Sequence, residues 1–398
     1  MEQPNGRREN FVPLHTCDVI EWLVAQPTTG AEAEKSFTQI ASLIVALLHH
    51  LYRQRHEQLT YVYAPLDPDR DRLLRSVPTD GFRKQLIDEL LERTEDTLHR
   101  ANYHKLSAGD INEAMEAASR WGVRMRVNFA MLRKLEVYGR GHVVGQRQIR
   151  NWQRFFRLET VEVPLYQRLI VIFQTSPDLK SDQFDSRRVY LRMFKNIPRQ
   201  DIDMMLPATG IQMTWLDHSK IVVPSLYAAG MALWRFLRNV VLLAFFGVFK
   251  TLGFFVLVVL AVGFGVRSMF AYRTNTKRRY MLNMAQNLYY QNLDNNAGVL
   301  LRLLEEGEQQ EAIEAILAYY ATAIALRDRG PLSLEAIDLE CERLLKEATN
   351  IEIDFDVERT VRTLAQLGVL EANQDGWSAL PPDKARKSLD ATWESWFS

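Results

Sequence analysis

"LYYQNLDNNAGVL", Leu288–Leu300, sets Asn292, Asp294, Asn295 and Asn296 between two helix-like stretches, "MLNMAQNLYYQ" before and "LLRLLEEGEQQEAIEAILAYYATAIAL" after. Helix ends leave amide hydrogens unpaired, and Asp and Asn side chains satisfy them locally. Asn295 or Asn296 can cap a helix that begins at Ala297, and Asp294 suits the positive end of that helix. Asn292 can end the arriving helix, and Gly298 permits close approach of another backbone. A helix corner thus explains most of the stretch. It does not explain why so many side-chain amides gather, so Asn292, Asp294, Asn295 and Asn296 stand as a candidate partner or ligand contact.

Upstream lies an apolar region in which, from Asn239 to Val266, the only charge is Lys250. About 20 apolar residues suffice to cross a bilayer core, so a membrane segment is expected at 221–271. In a single helix Lys250 would sit near the middle, at a cost of about 2.5–3.5 kcal/mol. A helical hairpin with arms Val222–Phe249 and Thr251–Ala271 keeps that ammonium wet, although Arg235 and Arg238 fall inside the first arm. Lys220 before the region and Arg267, Arg273, Lys277, Arg278 and Arg279 after it favour both soluble parts on one side. Arg273, Lys277, Arg278 and Arg279 are expected against anionic lipid headgroups.

Residues 1–121 read as an N-terminal helical region. Phe37, Ile40, Ile44, Leu47, Leu48 and Leu51 recur at the three-and-four spacing of one buried helix face, and Phe82, Leu86, Leu90 and Leu91 repeat it. Residues 122–220 read as antiparallel and β-rich: "VRMRVNF", "LETVEV", "YQRLIVIF", "RVYLRMF" and "GIQMTWL" alternate or run apolar, interrupted by a short helix at "RQDIDMMLP". Juxtamembrane helices follow at 272–328. In 329–398, Ser333 starts a helix with Leu334, Ile337, Cys341, Leu344 and Leu345 inward. Asp356 starts another with Val357, Val361, Leu364 and Leu367 inward, ended by Gly368, and "VLEANQDGWSAL" reads as a hairpin turning at Asp375-Gly376. Helices followed by a two-stranded wing describe a winged-helix-like domain. The expected fold is therefore an α+β membrane protein: an N-terminal helical region, an antiparallel β-rich region, a transmembrane helical hairpin and a C-terminal helical winged-helix-like domain.

Several stretches, "NFVPLHTCDVI" (10–20), "ANYHKLS" (101–107), "VYLRMFKNIPRQDIDMMLP" (189–207), "MTWLD" (213–217), the opening stretch and "DFDVERTVRTLAQLGVL" (354–370), resemble the transmembrane-protein-143-like family, a domain of unknown function. Asp203 departs from the Glu expected there, a change that keeps the charge. The resemblance covers nearly the whole chain. It implies an integral membrane location, in the bacterial cytoplasmic membrane or a mitochondrial or plastid membrane, and no reaction.

Composition adds bounds. The 398 residues carry 49 Lys+Arg and 49 Asp+Glu, so no global charge selects a nucleic-acid or membrane partner. Cys17 and Cys341 alone make neither a zinc motif nor a disulfide framework. Arg7 and Arg8 have no apolar run behind them, so no cleaved secretory signal is expected.

Candidate chemistry fails motif by motif. His56-Glu57 has Thr60 where a zincin needs its second His, and His49 lacks a third ligand, so no metal is expected. Asp67, Asp69 and Asp71 begin like a calcium loop, but Arg72 and Pro78 occupy the Gly and Glu places. Gly139, Gly141 and Gly145 miss the dinucleotide spacing by one residue. Arg140–Arg157 mixes five arginines with Trp152, Phe155 and Phe156; a solvated basic face is favoured over RNA or anionic-lipid binding. Glu352, Asp354, Asp356 and Glu358 at the candidate recognition helix would repel phosphate, which disfavours nucleic acid and favours a protein partner. A membrane-anchored interaction or scaffold protein without a cofactor is expected. The alternative is an enzyme with a cleft at the Asp-Asn-Asn stretch, which a pocket joining Asp203, Asp217, His218 and Asp294 would support.

Overall fold

The computed structural model describes residues 9–27, 31–70, 78–111, 124–151, 157–177, 184–207, 209–212 and 289–396, with Gly263, Arg267, Thr274, Arg278 and Leu282. The chain divides into two units, one of Met1–Ser107, Ala130–Arg199 and Asn292–Ser398, the other of Ala108–Phe129 and Gln200–Gln291. In the second unit, Arg124–Val127 pairs antiparallel with Thr209–Gln212, and Ile202–Met205 is a short helix.

The first unit is organised by its helices α1 (Thr16–Val24), α2 (Ala31–Tyr63), α3 (Asp80–Arg100) and α4 (Ala297–Tyr320). From Gln310 to Tyr320 every residue of α4 is buried. A helix covered all round lies between layers rather than on them. The first half of α4 supplies Val299, Leu300, Leu303 and Leu304 to a core shared with Tyr138, Ile170, Ile172, Leu191 and Met193. Its second half supplies Ile313, Ile316, Leu317 and Tyr320 to a core shared with Val19, Leu23, Ile40, Ile44, Leu344 and Leu364. The 33-residue α2 runs along both: Phe37, Ile40, Ile44, Leu47 and Leu48 enter one core, and Tyr52, Leu59, Val62 and Tyr63 the other. Its expected stripe is thus buried, with Leu51 only partly covered. On α3, Leu86 and Leu90 are buried and Leu91 partly so, whereas Phe82, in the first turn, stays 53% exposed.

A five-stranded antiparallel sheet lies against the first half of α4. Its order is β1 (His104–Lys105), β2 (Leu132–Asn151), β3 (Arg157–Thr175), β4 (Tyr190–Pro198) and β5 (Asn292–Asn295). "LETVEV" and "YQRLIVIF" merge into the single strand β3. β2 passes through Gly139, where an added Cβ would lie 2.9 Å from the Tyr166 ring; the missing side chain lets the aromatic cross the neighbouring strand. The opening stretch holds an element not expected of it: Asn292–Asn295 is an edge strand, with Arg192 opposite Asn295 and Met193 opposite Asp294.

The tail follows its local signals. Ser333 Oγ accepts from the Ala336 amide at 3.2 Å and starts α5 (Leu334–Thr349); Asp356 accepts from the Arg359 amide at 3.2 Å and starts α6 (Val357–Gln366). β6 (Leu370–Asn373) and β7 (Gly376–Ala379) form a two-stranded antiparallel hairpin, and α7 (Pro382–Ser395) follows it.

The expected α+β membrane protein requires correction. The described residues form an α+β fold of N-terminal helices, antiparallel sheet and C-terminal helices, and among them no helix is long and apolar enough to cross a membrane. The physical reason lies in the long helices themselves. α2 has the length, but its apolar residues form one stripe between charged ends at Glu34-Lys35 and Arg53–Glu57. α4 carries Glu305, Glu306, Glu308, Glu311 and Glu314. A lipid-facing helix tolerates few such charges. The transmembrane helical hairpin expected at 221–271 falls outside the described residues, apart from Gly263 and Arg267.

Just after the hairpin turn, Gly376 has φ +144°, and an added Cβ would meet the Leu332 carbonyl oxygen at 2.4 Å. Gly376→Ala should lower unfolding stability by more than about 1 kcal/mol, because neither the dihedral nor the space suits an L side chain. Urea denaturation checks this; an unchanged midpoint would contradict the packing described for the hairpin.

Candidate functional site

Glu306, Gln310, Glu311 and Glu314 fall at intervals of four, one and three along α4, which places them on one side of the helix. That side faces inward, so each carboxylate needs partners. Glu306 receives Arg140 at 3.0 Å, Arg168 at 3.2 Å and the Tyr103 hydroxyl at 2.7 Å. Glu311, with a side chain 5% exposed, receives Arg100 at 3.1 Å and Arg55 at 3.5 Å. The hydroxyls of Tyr52 (2.8 Å) and Thr363 (3.0 Å) also donate to it. Glu314, 3% exposed, receives Arg359 at 2.7 Å and the Asn102 amide at 2.8 Å. The partners come from α2, α3, β2, β3 and α6 and from the turn after α3. Arg140 is also held from its faces, with the rings of Phe11 and Tyr103 at 4.1 and 4.7 Å.

The electrostatics follow. Burial opposes ionisation of Glu311, but Arg100 and Arg55 with two hydroxyl donors hold its carboxyl below the ordinary value. Burial pushes the Tyr52 and Tyr103 phenols well up, so both remain donors. Burial, helped by the acids around it, also raises the Cys341 thiol, which disfavours the nucleophilic thiolate. The seam is thus an arrangement that binds elements together. At its mouth is a cavity of about 290 Å³ lined by residues including Asn10, His99, Asn102, Lys105, Asp354 and Arg359.

The polar residues of the opening stretch act at another edge of the same unit. Asn296 has φ +50° and is 8% exposed. It precedes α4 without capping it through its side chain. Instead its Oδ1 accepts from the Leu191 amide at 3.2 Å, its own amide donates to the Leu191 carbonyl at 2.8 Å, and its Nδ2 donates to Asp69. Asp294 accepts from Arg302. Asn292 is half-buried in β5 and Asn295 is exposed. The structure therefore joins Asp69 to this group, a partner that the sequence spacing did not reveal. Of the four expected headgroup residues, Arg278 is exposed, and Arg273, Lys277 and Arg279 lie outside the described residues.

Other motifs are accounted for locally. Asp67 Oδ1 accepts from the Asp69 amide at 3.0 Å, a turn bond, and Asp71 lies outside the described residues. His49 meets Glu308 at 2.9 Å, and His50 lies 5.3 and 5.4 Å from the Trp393 and Trp396 rings. Among the described residues, no group of three or more His, Cys, Asp or Glu could hold a metal. Asp217 and His218 lie outside the described residues, as does the Asp203 side chain, so the pocket that would favour an enzyme is not among them. Trp152, Phe155 and Phe156 lie outside them too, and Arg140 is buried in the seam rather than on a solvated face. The seam's acids were missed because Glu305–Glu314 reads as an ordinary solvated helix. The available signal was three acids on a side that also carries Gly307 and adjoins a wholly apolar turn.

Comparison with known proteins places one marker on this geometry. A family profile described as a protein of unknown function (DUF3754) matches residues 166–298, about a third of the 398 residues. A DUF3754 domain of unknown function is thus present, running from within β3 through β4 and β5 to the first residues of α4. It includes Asn292–Asn296 and ends before the buried acids. No solved structure matches the chain.

Two outcomes are expected. Asn296→Ala deprives the buried Leu191 amide of an acceptor and should cost about 1–3 kcal/mol, read by chemical denaturation; a midpoint equal to wild type would show that Asn296 does not hold Leu191 in place. Because Glu311 has a folded pKa below its unfolded value, its contribution is present above the ordinary carboxyl range and lost as pH falls through the folded value. Stability of the wild type should therefore fall more steeply below about pH 4.5 than that of Glu311→Gln. Parallel acid-dependence curves for the two would show that Glu311 is not so held.

Proposed function

We propose that the protein is an interaction or scaffold protein whose partner is another protein. The observation that carries this reading is the orientation of α6. A winged helix that reads nucleic acid offers the corresponding helix to a groove, with basic side chains toward phosphate. In this chain Thr360, Val361, Thr363 and Leu364 are buried, Thr363 is committed to Glu311 and Arg359 to Glu314. The exposed Arg362 is paired with Glu358 at 2.8 Å. The inner side of α6 is spent on the chain's own acidic helix, its exposed side offers phosphate an arginine already paired with an acid, and Asp354 and Asp356 line the nearby cavity. Assignment to the transmembrane-protein-143-like family, on stretches such as Asn10–Ile20 and Asp354–Leu370, is part of this proposal; that family has no established reaction, so it adds no catalytic role. The proposal includes no membrane span. Among the described residues, Asn296 and Asp294 are engaged by Leu191, Asp69 and Arg302, which gives the enzyme alternative no support there.

The test pairs two measurements. Titration with a 20-base-pair duplex and with single-stranded RNA should show no more than the non-specific affinity of about 10⁻⁴–10⁻⁶ M at physiological salt. Chemical cross-linking of the native chain should yield a defined protein partner. Tight, sequence-selective nucleic-acid binding, or no partner beside such binding, would overturn the reading.

A further inference from the structure

One segment of the first unit is bound as a peptide ligand would be. Glu9–Val12 runs extended across three elements. Its Glu9 amide donates to the Glu352 carbonyl at 3.3 Å, and its Glu9 carbonyl accepts from the Asp354 amide at 2.7 Å, a parallel bridge to Ile353. Asn102 Nδ2 donates to the Asn10 carbonyl at 2.7 Å. Gln310, 2% exposed, takes Val12 in both directions: its Oε1 accepts from the Val12 amide at 3.0 Å and its Nε2 donates to the Val12 carbonyl at 2.9 Å. Within the segment the Glu9 carboxylate accepts from the Asn10 and Phe11 amides at 3.2 and 3.3 Å, and two further side chains meet the groove. Phe11 lies over Arg140 at 4.1 Å, and Val12, 1% exposed, enters the core formed with Ile313 and Ile316.

This is capture of main chain by fixed groups, with fixed surroundings for two adjacent side chains, a pattern by which peptides are recognised. The receptor is preformed. Gln310 stands on a buried helix, Asn102 is held at φ +59° with its amide also on Glu314, and Arg140 is tied to Glu306. A vacant groove would take from Gln310 both of its bonds to Val12 and leave its Oε1 the Asn102 amide at 3.4 Å alone, so it favours an occupant that restores them.

We infer that the groove formed by Gln310, Asn102, Arg140 and the Glu352–Asp354 edge is a peptide-binding site. Residues 9–12 occupy it in cis, and it accepts an extended partner segment with an aromatic residue followed by a β-branched one. The inference rests on the interaction reading above and names the chemistry of the partner. The tethered segment competes at an effective concentration that reaches the millimolar range for short connections, so exchange requires a weakened strap.

The experiment uses the full chain with Phe11→Ala and Val12→Gly, and a fluorescent synthetic peptide of residues 9–15. Saturable binding is expected, weakened at least tenfold by Gln310→Ala in the same chain. Binding should also be lost when Val12 of the peptide carries an N-methyl group, which removes the hydrogen that Gln310 accepts. If that chain fails to fold, Phe11→Ala alone is used. In the Phe11→Ala chain, an excess of the peptide carrying a benzophenone in place of the Phe11 ring should label the 303–320 region on irradiation. A folded chain that neither binds the peptide nor is labelled by it overturns the inference, as does binding indifferent to N-methylation. Retention of a cross-linked protein partner by that same chain would show that the groove, and not the interaction reading, had failed.

Discussion

A carboxylate at the centre of the fold cannot be left without countercharge. Taking such an ion out of water costs several kcal/mol even after relaxation, and removing one partner of a buried pair costs about 3–5 kcal/mol. Glu311 and Glu314 are under that constraint, and what relieves it arrives from distant parts of the chain: Arg55 on α2 and Arg100 on α3 hold Glu311 below its ordinary value, whereas at Glu314 burial still raises the carboxyl against Arg359 on α6. Glu306 extends the same demand to β2 and β3 through Arg140 and Arg168. The acids can be buried only when all of these elements are in place together. The seam is thus a condition on assembly more than a source of net stability, since apolar side chains of similar volume could fill the same space without the desolvation penalty.

The remaining architecture follows from that condition. α4 joins two apolar cores, one against the sheet and one against α1, α2 and the tail helices, and the charged stretch lies where the two meet. The tail is therefore held by more than its own small core. α6 brings Arg359 and Thr363 to the seam, and the Glu9–Val12 strap fastens the Ile353 edge to Gln310. Elements that bring no charge to the seam, such as α1 and α7, depend on apolar packing and local contacts, and are the ones that can open at lower cost.

Much of this was legible where local rules act. The stripe from Phe37 to Leu48 and the caps at Ser333 and Asp356 each depend on residues a few positions apart, and each is where its spacing indicated, while the hairpin expected to turn at Asp375-Gly376 turns one residue earlier, with Gly376 paired to Asn373. β5 was not legible, because Asn-Leu-Asp-Asn has poor strand propensity and becomes a strand by pairing at the edge of β4. Asn296 was expected as a cap but lends its side chain to Leu191 and Asp69, residues more than a hundred positions away. β2 was hidden by residues such as Gly139 and Arg140, whose reasons, the Tyr166 ring and Glu306, lie on other elements. Glu306, Glu311 and Glu314 resemble solvated helix charges until the tertiary fold supplies five guanidiniums. The hairpin rested on the apolar run 239–266, and no described helix answers to it.

Native-state hydrogen exchange resolved along α4 tests the central claim most directly. If the buried seam is the condition on which the unit assembles, the amides of residues 303–320 should exchange only through global unfolding. Their protection should then equal that of the central strands β3 and β4 and exceed that of α7. Exchange of the Gln310–Tyr320 amides through local opening, at rates matching α7 or faster, would contradict the account.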